Sequence, residues 1–205
     1  MELPAIPPGV RLLGLCGAPG VGKSTVAAAL AARDGAVVVP LDGFHFPQAE
    51  LVRRGLRDRM GAPETFDAEG YAAVLARIRS REDVRAPGFD RTVEEPVPEQ
   101  IEIPPGAELV VTEGNYLLLD EPRWLEVRAQ LDAVWHLTID ESVRLERLVA
   151  RHVEFGKSPF EAAEWVSRVD EPNARLIEAA VFRADAVVDL TDWDGTAAPR
   201  RTPPA

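Results

Sequence analysis

Residues 17–24 read Gly17-Ala18-Pro19-Gly20-Val21-Gly22-Lys23-Ser24, a complete Gly-x-x-x-x-Gly-Lys-Ser/Thr loop. This motif constrains the fold because it works only between a buried strand and the first turn of a helix. Both flanks are present. The apolar run 10–16 predicts a strand, and Thr25 opens the alanine-rich run 25–32, which predicts a helix. The glycines let the backbone curl so that its N–H groups converge on phosphate oxygens. Lys23 brings a charge for the β- and γ-phosphates, the Ser24 hydroxyl is a Mg²⁺ ligand, and the helix N-terminus adds its partial positive charge. Gly17, Ala18, Pro19, Gly20, Val21, Gly22, Lys23, Ser24 and Thr25 are therefore the expected ATP-binding residues.

Apolar runs at 36–40, 108–112, 133–139 and 186–190 predict four further strands. Helices are expected over 48–54, from an Asp67 N-cap to about 80, and over 123–130, 141–155 and 159–181. Strands alternating with helices predict an α/β fold with a five-stranded parallel sheet, and ligands then gather at the carboxyl ends of the strands. The proline-rich, acidic stretch 84–105 reads as irregular chain, with room for a small hairpin, inserted to cover an acceptor. The expected organisation is one domain over 1–194 followed by a disordered tail over 195–205.

The 205 residues carry a formal net charge of −11, which argues against nucleic acid or an anionic membrane as partner. A polyphosphate ligand then needs locally concentrated positive charge. The single cysteine, Cys16, excludes an intramolecular disulfide and reads as a small buried hydrophobe. No leader or membrane-spanning stretch is evident, so a cytoplasmic enzyme is expected. The sequence sets no oligomeric state; a homodimer is one arrangement it allows.

Several side chains follow strand ends on the rim that carries the loop. Asp42 could take a proton from an acceptor hydroxyl while the γ-phosphoryl group moves, or it could simply cap the Asp42-Gly43 turn. Glu113 is the expected acidic partner of Mg²⁺. Arg144, Arg147 and Arg151 fall on one helical face, either as a lid over the phosphates or as a solvated stripe paired with Glu141 and Glu154. His45 could touch the acceptor. His136 reads as structural, and His152 is open. Trp124, Trp135 and Trp165 read as core, whereas Trp193, after the last strand, could lie near an adenine.

Taken in order, the loop, Asp42-Gly43-Phe44-His45, the 61–67 segment, Phe89-Asp90-Arg91, Glu113-Gly114-Asn115-Tyr116 and the 144–152 arginine segment resemble the phosphoribulokinase/uridine kinase family. The likeness is to its pantothenate kinase-like branch and spans about 10–190. The resemblance implies a P-loop NTPase α/β/α sandwich with a lid helix at about 141–157. It implies ATP and Mg²⁺ as cofactors and a small-molecule hydroxyl acceptor. Asp42 and Lys23, with Arg147 and Arg151, would be catalytic, and Arg147 would also be an ATP-binding residue. Asp42, His45, Asp67, Asp90, Arg91 and Asn115 would bind the acceptor, and Ser24 and Glu113 the metal. Gly43 departs from the serine usual in uridine kinases, and no histidine precedes Phe89 as in pantothenate kinases, so a pantothenate-like compound, a sugar and a nucleoside all remain open as acceptors. The rival is a regulatory P-loop NTPase whose output is hydrolysis. Against it, the chain has no Asn-Lys-x-Asp motif.

Overall fold

The structure is a computed structural model that describes residues 2–193 and 195. In chain order it contains β1 (Leu12–Cys16), α1 (Lys23–Asp34), β2 (Val37–Pro40), α2 (Gln48–Arg54), α3 (Ala68–Arg79), β3 (Val84–Asp90), β4 (Glu95–Ile103), β5 (Val110–Glu113), α4 (Pro122–Gln130), β6 (Ala133–Thr138), α5 (Glu141–Glu154), α6 (Pro159–Trp165), α7 (Glu171–Glu178) and β7 (Ala186–Asp189). Apart from Gly195, the expected disordered tail lies outside the described residues.

The five expected core strands form one parallel sheet in the order β2-β5-β1-β6-β7. The central strand shows why the chain makes three layers. Leu12 and Cys16 point into one apolar core and Leu13 and Leu15 into the other, as the two-residue period of a strand requires. One core is closed by Val26, Ala27 and Leu30 of α1. The other is closed by Tyr71, Leu75 and Ile78 of α3, Trp124 and Val127 of α4, and Ile177 of α7. No helix among the described residues is long and apolar enough to cross a membrane.

Two expectations change. In the stretch 84–105 the small hairpin takes up nearly the whole length in place of irregular chain: a two-stranded antiparallel ribbon of β3 and β4, with a register shift between Ala86 and Gly88. Pro87, Pro96 and Pro98 lack the N–H of an interior strand, but a ribbon with two free edges leaves positions where none is needed. In the first half of β3 the apolar face is marked by buried Val84 and Ala86, with Arg85 exposed between them. The single helix expected over 159–181 is instead α6, a wide π-turn at Val166–Asp170, and α7. The cause is Pro172. It cannot donate to the carbonyl four residues back and its ring crowds that carbonyl, so the backbone widens and Glu171 N–H donates to Val166 O.

Candidate active site

The loop between β1 and α1 is held by close backbone packing rather than by side-chain caps. Gly22 caps α1 at φ 106° with no side-chain bond, so the first N–H groups of the helix stay open toward the loop. Gly20, at φ 83°, lies so close to α5 that a Cβ there would meet Leu148 Cγ at 2.7 Å and Arg144 O at 2.9 Å. Lys23 folds over the loop and donates from Nζ to Gly17 O (2.8 Å) and Ala18 O (3.1 Å). Burial lowers its pKa, opposed by the nearby Glu113 carboxylate.

The parallel sheet brings the acids to the same rim. Ser24 donates from Oγ to Glu113 Oε1 at 2.7 Å. Glu113 is the last residue of β5 rather than a residue beyond it, and is buried. Burial first, and the Asp42 charge second, push its carboxyl pKa up, while Lys23 pulls it down. Asp42 sits in a 3₁₀ turn directly after β2 and accepts from Arg91 Nη2 at 2.8 Å. This turn packs under the ribbon so tightly that a Cβ on Gly43 would lie 2.3 Å from Pro87 O. His45 stacks against Phe66 (3.8 Å between centroids) and Phe89 (5.3 Å). Its Nδ1 lies 3.1 Å from Asp42 O, and Nε2 is buried without a partner among the described residues. Burial lowers the imidazole pKa.

These groups open into one cavity of about 980 Å³, lined by residues 19–25 and by Asp42, His45, Arg91, Glu113 and Asn115. Arg147 and Arg151 line it too, and neither has an ion-pair partner among the described residues. Arg144 does not share their surroundings. It is buried and bonds Glu171 Oε1 at 2.6 Å and Pro19 O at 3.4 Å, so the stripe divides into one anchor and two cavity-facing cations. With Leu148 also buried, the first half of α5 packs on the loop.

Two expected acceptor residues are not brought to the cavity. Asp67 spends its carboxylate on the N–H of Gly70 as the cap of α3. Asp90 accepts from Thr92 N–H in the ribbon turn. Both are short acids beside a turn, where local backbone bonds compete for the side chain. Sequence reasoning also misassigned Trp165, which lines the cavity instead of the core, with Lys157 Nζ 4.8 Å from its ring centroid. Trp124 and Trp135 are core, and Trp193 lines the cavity. Cys16 is buried as expected. Its thiol is pushed up to about 11 by burial, and it donates to Asn115 O. His136 is buried in β6 with Nε2 3.1 Å from Glu178 Oε1. Among the polar lining residues that were unforeseen are Arg57, Asp170 and Asn173. No motif flags them, although Pro172 hints that the helix around Asp170 is interrupted.

Comparison with known proteins identifies the chain's kin. A Schizosaccharomyces pombe protein provisionally named a uridine kinase is 36% identical over 196 residues, 86% of this chain and 82% of the relative. The chain belongs to the phosphoribulokinase/uridine kinase family of P-loop kinases. An ATP-dependent kinase-like protein of Aspergillus versicolor is 37% identical over 72% of this chain and 87% of its own length. A crystal structure described as a fructose transport system kinase from Silicibacter sp. TM1040 superposes with a TM-score of 0.79 at 40% identity, covering 90% of this chain and 92% of that one. No protein-family model matches the chain. The kinase is thus an ATP-dependent phosphotransferase with the P-loop kinase fold.

Proposed function

We propose that this kinase transfers the γ-phosphoryl group of ATP to a hydroxyl of a small metabolite, with Asp42 as the general base. The supporting observation is that Asp42, a partly exposed carboxylate, opens into the cavity that also holds the phosphate loop, Lys23 and Glu113. As the acceptor oxygen bonds to the γ-phosphorus, its proton passes to Asp42, the bond to the β-phosphate oxygen breaks, and ADP leaves with that oxygen. Lys23 and the loop N–H groups hold the phosphates. Arg147 and Arg151 offset charge on the transferring group, with the 141–157 segment acting as lid and the 84–105 ribbon covering the acceptor. Arg91 can exchange Asp42 for the acceptor readily, because a partly exposed ion pair contributes only about 0–1 kcal/mol.

Ser24 Oγ and Glu113 Oε1, hard oxygens 2.7 Å apart, suit Mg²⁺. Among the described residues no group of three or more His, Cys, Asp or Glu is arranged to hold a metal. That fits a cation that takes few protein ligands and keeps water and phosphate oxygens. When bound, Mg²⁺ would neutralise phosphate charge beside these two residues. On sequence grounds alone three kinds of acceptor stand open: pantothenate-like, sugar and nucleoside. The fructose-related description of the Silicibacter protein favours a sugar.

Asp42→Asn tests the reading because it keeps the size and turn-capping ability of the side chain while removing the charge. It is expected to fold and bind ATP normally and to lose at least about 10²-fold in acceptor-dependent ADP release. Activity within a few-fold of wild type would reduce Asp42 to a turn cap.

A further inference from the structure

The cavity has a second polar wall, beyond the part of α5 that packs on the phosphate loop. His152 lies in the last turn of α5, Asp170 closes the π-turn, and Asn173 stands in the first turn of α7. All three line the cavity. His152 Nε2 is 2.8 Å from Asp170 Oδ2, which fixes one carboxylate oxygen. Asp170 Oδ1, His152 Nδ1 and the Asn173 amide have no hydrogen-bond partner among the described residues. Asp170 is mostly enclosed, with 8% of its surface left exposed, so its second oxygen is available to a ligand in the cavity.

The wall shares the cavity with the residues expected to meet the acceptor. Tyr116, which packs on Phe66, donates from its hydroxyl to Gly61 O. Gly61 and Asn115 line the cavity beside His45 and Phe66. A carboxylate is also misplaced beside a polyphosphate, since like charges repel.

We propose that Asp170 and Asn173, with His152 positioning Asp170, form a hydroxyl-recognition subsite for the end of the acceptor remote from Asp42, and that the acceptor is a neutral polyol. This deepens the kinase reading above and rests on it. A carboxylate oxygen accepts from a hydroxyl, and an amide can both donate to and accept from its neighbour. Such a wall suits adjacent hydroxyl groups. It disfavours an acceptor whose remote end carries a carboxylate or phosphate, because Asp170 would face that charge. The π-turn contributes by swinging Asp170 to the cavity at the point where α6 hands over to α7, and such turns occur frequently at functional sites.

The test is acceptor-dependent ADP release by the full chain with three sets of alcohols: neutral polyols (D-ribose, D-fructose, uridine), anionic alcohols (pantothenate, D-glycerate) and an amino alcohol (ethanolamine). Expected is turnover with at least one neutral polyol and none with the others. Asp170→Asn and Asn173→Ala should each raise the KM for that polyol by about tenfold, the loss of one hydrogen bond, and leave the KM for ATP unchanged. A melting curve shows whether buried Asp170→Asn still folds, and half-buried Asn173→Ala carries the test if it does not. Turnover only with the anionic or amino alcohols overturns the subsite and leaves the kinase reading standing, as does a polyol KM that changes less than twofold in both folded variants. ATP binding without turnover on any of the compounds defeats both.

Discussion

At the scale of single residues, the three arginines of α5 teach most. Their spacing predicts one face and cannot separate them, since Arg144, Arg147 and Arg151 differ only in what lies opposite. Arg144 meets Glu171 and Pro19 O in a buried setting. Arg147 and Arg151 meet the cavity. The consequences of truncation should therefore split. Arg144→Ala strands Glu171, and losing a hydrogen bond to a charged group costs about 1.5–3 kcal/mol. Its melting temperature should drop by several degrees. Arg147→Ala should melt like wild type and instead lose about 10²-fold in turnover, the size expected for one contact to transition-state charge. Calorimetric melts beside steady-state kinetics check both. Equal melting temperatures for the two variants would contradict the division. Asp42, Lys23, Ser24 and Glu113 were legible because each belongs to a strand-end motif. Asp170 and Asn173 were not, because what gathers them with His152 is a backbone distortion set by Pro172, without a spacing rule of its own.

At the scale of elements, the ribbon of β3 and β4 is the main revision. Its prolines and acidic residues resemble loop composition, and pairing between two local strands leaves little hydrophobic periodicity to read. What docks it is the 3₁₀ turn carrying Asp42, through Gly43, whose missing Cβ admits Pro87 O. The sequence marks Gly43 as a departure from the serine of uridine kinases, and the structure supplies its reason. Gly43→Ser should displace the ribbon, since overpacking a filled contact costs about 1–3 kcal/mol. Arg91 would move with it, away from Asp42. The expected outcome is a lower melting temperature together with a raised KM for the acceptor, while affinity for ATP, measured by titration calorimetry, stays within twofold. A variant as stable as wild type would mean that the ribbon is not seated through this glycine. The core strands and α1 to α5 were legible to within about two residues at each end, because their apolar runs, with the Asp67 and Asp140 caps of α3 and α5, are local signals.

At the scale of the whole molecule, a protein of net charge −11 keeps Lys23, Arg91, Arg147 and Arg151 around one cavity. That concentration is what a nucleotide triphosphate needs from an otherwise repelling surface. The sheet order also separates tasks. β5 and β2 carry Glu113 and lead to Asp42 on one side of the loop. On the other side, β6 and β7 lead to α5 and to Trp193. The same order bears on how the chain reaches this state. Leu13 in the central strand pairs with Val111 on one side and Ala133 on the other. During synthesis β1 therefore has neither neighbour until β5, beginning at Val110, has been made, and its apolar residues wait unpaired. Contacts so distant in sequence fold slowly and leave sticky intermediates. The fragment 1–105 should remain unfolded by circular dichroism, whereas the full chain should refold over milliseconds to seconds. The loop after β1 is made well before the strands that hold it in place, so nascent chains of this kinase should depend on chaperones until β6 has emerged.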